Sequence, residues 1–541
     1  MKKHIIFLLA TFSANLFAQN LDSLYNAFLS ARSPQQITGY QVTSEGEHEK
    51  CLTGLVYEVK RNFDLFNPKQ KIVLSSLLSR PTTDTSIVTP SGFFKIHFNK
   101  SGVNKPGYDV DELAVAFDSS YNYEVNILGY PPPPDDNGEG GDNKYDIYVT
   151  NLTNGNYGYT EPETDITSER STSFIVMDND FAGYFTEGIY AAQVTAAHEL
   201  HHAIQMGKYI FRSSDQYYME ATSTAMEEFV FDSVNDYYGY IHTFTNRPER
   251  TFAASAGYDL APWNIFLKDR FDYGIIKRIW ELMPDKRALE AMVQAIADSG
   301  STFKEEFNLF GQWFYFTGSR AVPGKYFEES ANYPQIEQLI STEFIKPVTS
   351  VTIDSEPVSL NYLLFTSSGT AVPDSFVAVV ANCDVTNAVS SSTTKLNFKY
   401  SLSDGGDGYT KIVDGYYSKI ESSSPFLLAE SDILNNVALN DGTINTVEIG
   451  YPYPQPFRYS INPYVYFPVG RTFSGYADLY VYSIDVNLVF SGQVRIISSD
   501  KITAQWNALD SENKKLGTGI YFYVIKVDDQ THKGKFAVFN D

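Results

Sequence analysis

The sequence predicts a multidomain chain in which an α+β domain is followed by two β-sandwich domains. Three observations carry this. The chain has 541 residues, which at about 100–200 residues per domain makes three to four domains rather than one. Up to about residue 317, helical spacings of apolar residues alternate with short strand patterns. Past Pro347 the texture changes to short Val/Ser/Thr/Tyr runs separated by Gly, Asn and Asp turns.

The elements follow in order. Lys2 and Lys3 precede an apolar run from Ile5 to Phe12, and small residues lead to Ala18 before Gln19. Residues 1–18 therefore read as a signal peptide, and the protein is expected to be secreted or held at the cell surface. No later stretch approaches 18 uninterrupted apolar residues, so no transmembrane segment is expected. Residues 19–88 read as an N-terminal helical segment and a candidate pro-region, with a helical pattern over 55–78 that ends at Pro81. The next domain is expected over 89–340. It opens with a strand pattern at 93–98 and carries a loop from Pro131, strands at 145–149 and 173–177, and a long helix over about 189–206. Further helical patterns occupy 216–231, 262–270, 275–283, 286–297 and 303–317. Two β-domains, 348–447 and 449–541, complete the chain.

Composition narrows the function. Hydrophobic residues at 43% and charged residues at 20% describe a folded globular chain. A net charge of −24 argues against nucleic acid as a partner, since binding to phosphate backbones needs basic faces. Two cysteines, Cys51 and Cys383, cannot make a disulfide framework.

Three of the eight histidines fall within five positions, in Ala197-His198-Glu199-Leu200-His201-His202. On a helix His198 and His202 are one turn apart on the same face and can share one zinc ion. Glu199 lies about 100° round the helix, placed to take a proton from water rather than to ligate. His201 points off the ligand face, toward a supporting role or surface packing. A catalytic zinc needs a third protein ligand. Gln205 and Lys208 stand where a metzincin would have Gly and His, which excludes that pattern. Eighteen residues after His202 comes Glu220, in a helix for which Ser213 and Gln216 suggest a capping-box start. A short turn after Gly207, expected to stop the first helix, would let the second fold back and aim Glu220 at the metal.

This arrangement resembles the gluzincin peptidases, over about residues 190–230, and implies a zincin-like catalytic domain with His198, His202 and Glu220 as zinc ligands and Glu199 as catalytic base. Thermolysin-like members carry an Asp four positions after the glutamate; Thr224 stands there, and Glu227, about a turn further on, is the alternative partner for His198. The resemblance also implies a His or Tyr that binds the tetrahedral oxyanion, with His242, Tyr218 and Tyr258 as candidates. The stretches 93–97, 146–149, 157–159, 173–180 and Trp280 are similar to a family of secreted bacterial metallopeptidases. The last ninety residues, with Pro454-Gln455-Pro456-Phe457, Trp506-Asn507-Ala508-Leu509-Asp510 and Gly517-Thr518-Gly519-Ile520-Tyr521, resemble the Ig-like C-terminal sorting domain of type IX secretion. That resemblance implies the secretion machinery as a partner.

Two further features remain open at this level. Asp135, Asn137, Glu139, Gly140, Asn143 and Asp146 take positions 1, 3, 5, 6, 9 and 12 of a calcium-loop frame, so either a calcium loop or a solvated acidic turn is expected. Cys51 has three readings: a disulfide with Cys383, a buried thiol, or a fourth zinc ligand that blocks the site. The favoured function is a secreted zinc endopeptidase acting on protein or peptide. The alternatives are a β-rich binding protein or adhesin with a non-catalytic zinc, and a zinc hydrolase of a non-peptide substrate.

Overall fold

The computed structural model describes residues 21–32, 50–135, 137–152, 155–337, 339–345, 348–367, 374–385, 396–404, 409–413, 416–420, 433–435, 452–469, 476–498, 502–527 and 530–540. The expected signal peptide lies outside them. The chain divides into two compact units, one of 21–283 with 288–443 and the other built chiefly from 444–541.

The first unit is mixed α/β. Helices α1 (21–32), α2 (Thr53–Arg61) and α3 (Pro68–Leu77) come first. The single helical pattern expected over 55–78 is interrupted because Asn67 caps α3 reciprocally with Gln70 and Pro68 sits in the first turn. Strands β1 (Thr85–Val88), β2 (Phe94–Phe98), β3 (Tyr145–Thr150), β4 (Gly158–Thr167) and β5 (Arg170–Asp178) form one sheet in the order β1-β2-β3-β5-β4. Helix α4 (Val110–Tyr121) crosses between β2 and β3. The β2-β3 and β3-β5 pairs are parallel and the outer pairs antiparallel, which leaves β4 at an edge.

Strand alternation assigns the two faces of this sheet. Ile147, Val149, Ile175 and Met177 pack with Leu113 and Phe117 of α4 and with Ala196, Leu200 and Ile204 of α5 (Gly188–Ile204). Tyr148, Tyr159, Phe174 and Val176 face the other way, onto Phe28, Val56, Val59, Phe66 and Leu74. The N-terminal segment is thus the second cover of the sheet. Helix α5 is apolar on most sides and buried from Val194 to Ile204, as a helix lying between a sheet and other helices must be.

After α6 (Gln216–Val230) come helices Tyr238–Asn246, Ala261–Arg270, Tyr273–Leu282, Ala288–Asp298 and Phe303–Tyr315. The β block that follows forms a five-stranded and a three-stranded sheet. It does not stand alone as the separate 348–447 domain expected. Tyr362 donates to the Gly311 carbonyl at 2.8 Å, Asn308 donates to the Val379 carbonyl at 3.3 Å, and both parts share one hydrophobic core.

The second unit is β-rich, as expected, but its hydrogen bonding is one continuous seven-stranded sheet, close to a closed barrel, rather than two separate facing sheets. Phe467, Leu479, Val481, Trp506, Ile525 and Phe536 fill its interior, alternating along their strands with exposed residues. Among the described residues, no helix is long and apolar enough to cross a membrane.

Candidate metal centre

Helix α5 continues past Ile204 into a wider π-type turn, Gln205–Tyr209, so Gly207 does not end it as expected. Glycine is needed there for another reason: a Cβ at 207 would lie 2.2 Å from Cδ of Pro134. The chain returns through Arg212, which pairs with Asp215 at 2.9 Å. The expected capping box of Ser213 and Gln216 is not formed. Ser213 lies in a 3-10 turn and donates to Glu58, and α6 begins at Gln216 without a side-chain cap. Glu220 falls in the second turn of α6, packed against Gly257, whose φ of 110° and lack of Cβ let the loop approach.

The structure brings His198, His202 and Glu220 together. Nε2 of His198 is 3.1 Å from Nε2 of His202, and the two lie 3.2 and 3.3 Å from Oε2 of Glu220. Tetrahedral donors at about 2.0–2.1 Å from one zinc ion stand about 3.3–3.4 Å apart, so this triangle has the right size. The outer ring nitrogens are held: Nδ1 of His198 bonds Glu227 Oε1 at 2.7 Å, and Nδ1 of His202 bonds Gln205 Oε1 at 2.8 Å. Gln205 is oriented by donating to the Met219 carbonyl at 3.1 Å. With Nδ1 of each imidazole bonded outward, both Nε2 atoms and a carboxylate oxygen face one point, where a divalent cation can take the place of the shared proton. The other oxygen, Glu220 Oε1, is buried with no hydrogen-bond partner. The donor set fits zinc.

Cys51 supplies a fourth donor. One ligand atom each from Cys51, His198, His202 and Glu220 all lie within 4.8 Å of one another, and all four residues are buried. Cys51 and Cys383 are both free thiols, so the disulfide reading is set aside.

Electrostatics match a cation site. Burial disfavours charge on His198, but Glu220 and Glu227 outweigh it and push its pKa up to about 10. Burial raises the Glu220 carboxyl, yet His202 and His198 bring it down to about 2. The Cys51 thiol is raised by burial and by the carboxylates of Glu199 and Glu220. Lys50, 2% exposed, bonds Glu227 Oε2 at 2.6 Å and also bonds Asp236. Burial works against its charge, and Asp236 and Glu227 hold it well above the ordinary lysine value.

Glu199 lies beside the cluster without joining it. Its Oε2 accepts from Thr160 at 2.9 Å and from Thr53 at 3.3 Å. Of the oxyanion candidates, Tyr258 is at the site: its hydroxyl is 3.1 Å from the Cys51 backbone nitrogen, and its ring centroid is 6.2 Å from that of His198. Tyr218 donates to Asn264 and stacks on Trp280, and His242 is exposed. His201 is fully buried rather than at the surface. Its Nδ1 bonds Glu124 Oε2 at 2.8 Å, and Tyr130 and Trp280 pack edge-on around the ring. Thr224 Oγ1 has no hydrogen-bond partner, and Glu227 holds His198 instead.

Two of the calcium-loop positions are engaged within the protein. Asp146 lies in β3, committed to Arg80 and to His97 Nε2 at 2.7 Å, and Asp135 accepts from the Asn137 backbone. Among the described residues the Cys51 cluster alone gathers three or more metal-ligating side chains.

The site is therefore a buried cluster of Cys51, His198, His202 and Glu220 that could hold a metal ion, beside the edge strand of a mixed sheet. No family model and no curated protein matches the chain. Among solved structures it aligns with PorZ, an essential bacterial surface component of the type-IX secretion system of Porphyromonas gingivalis. The identity is 13% and the TM-score 0.13, over 35% of this chain and 29% of that one. It also aligns with dimeric latent PorU of the same organism, at 13% identity and a TM-score of 0.15, over 36% and 20% of the two chains. The chain spans less than a third of either relative, and scores this low carry no inference about its fold or activity.

Proposed function

We propose that the protein is an exported zinc endopeptidase with a zincin-like catalytic domain. One observation carries the reading: His198, His202 and Glu220 present three donors at zinc spacing, with the buried carboxylate of Glu199 adjoining the first of them. Bound there, zinc supplies a Lewis acid that makes water nucleophilic near neutral pH. Glu199, held by Thr160, accepts the proton of the attacking water and returns it to the leaving amine. The Tyr258 hydroxyl donates to the oxyanion of the tetrahedral intermediate. Glu227 and Gln205 keep the imidazoles in the ligating tautomer.

The test is casein digestion by the full chain and its Glu199→Gln variant, each with Cys51 intact and with Cys51→Ser. Glu199→Gln should keep its metal and slow turnover by roughly two to four orders of magnitude. Equal digestion by both would remove the general-base role. A second reading, a secreted binding protein with a structural zinc, is favoured by the fourth donor, because four protein ligands close a site to water. No digestion by any variant, with zinc retained, would select it.

The C-terminal unit is proposed as a sorting module that engages the secretion machinery, supported by its sequence resemblance and its own core. Normal release from the native host of a chain ending near Gly450 would contradict this.

A further inference from the structure

Building on the peptidase reading, we propose that residues 50–53 form an autoinhibitory plug that keeps the site latent, with the Cys51 thiolate as the ligand that closes the metal to water. These four residues meet each part of the catalytic apparatus. Cys51 Sγ lies among the metal donors, within 4.8 Å of the His198, His202 and Glu220 ligand atoms. The Thr53 hydroxyl donates to Glu199 Oε2 at 3.3 Å, adding to the bond from Thr160 on the same oxygen. The Cys51 backbone N–H donates to the Tyr258 hydroxyl at 3.1 Å, and that hydroxyl donates to the Cys51 carbonyl at 3.4 Å, which engages the oxyanion donor.

The plug also fills the approach to the site. Lys50 to Leu52 run along the free edge of β4: Tyr157 N–H donates to the Lys50 carbonyl at 2.8 Å, Leu52 N–H donates to the Gly158 carbonyl at 3.1 Å, and Cys51 bridges Gly158 in parallel. An exposed strand edge is where an extended peptide adds by backbone pairing. This one adjoins Thr160, the partner of Glu199, and it is already taken. All four plug residues are at most 2% exposed, so no substrate reaches Glu199 while they stay. Lys50 fastens the plug through Glu227 and Asp236. Opening requires residues 50–53 to leave, which unwinds the first residue of α2 and withdraws Leu52 from the core beneath it.

The experiment uses the full chain loaded with Co²⁺, because zinc is spectroscopically silent, and compares wild type with Cys51→Ser. Wild type should show a thiolate-to-cobalt charge-transfer band in the near ultraviolet, and Cys51→Ser should lack it while still binding cobalt. Casein digestion should rise by roughly tenfold or more in Cys51→Ser, because loss of the thiolate–metal bond lets residues 50–53 leave, which admits substrate and opens the fourth position to water. Wild type treated with an organomercurial should lose the band and gain activity, which tests the plug even where the variant folds poorly. Wild type digesting casein as fast as Cys51→Ser, or lacking the band, would overturn the plug and leave the peptidase reading standing. A band in wild type with no digestion from the variant or from mercurial-treated protein would overturn the peptidase reading, and the plug with it.

Discussion

Replacing Lys50 by Met tests whether the segment before α2 is locked into the fold by charge. The Lys50 ammonium is fully enclosed with Glu227 and Asp236, and neither carboxylate has solvent access. Methionine keeps the length and apolar stem but leaves two buried carboxylates without their cation. Breaking a buried pair from one side costs about 3–5 kcal/mol, chiefly the uncompensated charge that remains. The unit concerned has roughly 420 residues, and at about 2.1 cal mol⁻¹ K⁻¹ per residue the loss corresponds to a fall in Tm of about 3–6 °C. Calorimetry on the full chain reads it directly. In a Glu227→Gln, Asp236→Asn background the same substitution should cost much less, since no charge is then stranded. A Tm within about 1 °C of wild type for Lys50→Met would refute the buried ion-pair argument.

Two other predictions follow from the same neighbourhood. Glu227→Gln removes the carboxylate that orients His198 and should weaken zinc binding by roughly 10–100-fold in competitive chelator titration; unchanged affinity would contradict that role. Glu228 is pushed up to about 9 by burial and by Glu329 and Asp232. Its folded form keeps a proton that the unfolded chain releases above about 4.5, so stability falls as pH rises from about 4.5 to 9. Glu228→Gln should flatten that decline in Tm measured between these limits, and parallel curves for variant and wild type would contradict the assignment.

The part of the site legible in the sequence is the part set by local geometry. One helical turn puts His198 and His202 on one face, and a short return brings Glu220 back to them. What was not legible arrives from far along the chain. Lys50 and Thr53 reach the centre from about 150 residues upstream, beside the edge of β4, and Cys51, for which the sequence leaves three readings open, arrives with them. No spacing rule encodes such a contact. Thr160 was hidden because Gly158–Thr167 carries Pro162 and lacks clean alternation, as an edge strand can. Gln205 registered only as a departure from the metzincin pattern, yet it holds His202. Gly207 read as a helix stop because its contact with Pro134 is tertiary. The change of texture past Pro347 marked a change of secondary structure correctly. It did not mark a domain boundary, because the helix Phe303–Tyr315 has its buried face against the strands beyond it.

The central claim is that His198, His202 and Glu220 hold one metal ion, and metal content measured on purified full-length protein tests it most directly. Wild type should carry one zinc per chain, while Glu220→Ala should lose most of it and stay folded by circular dichroism. Stoichiometric zinc in Glu220→Ala, or none in wild type supplied with zinc, would contradict the account.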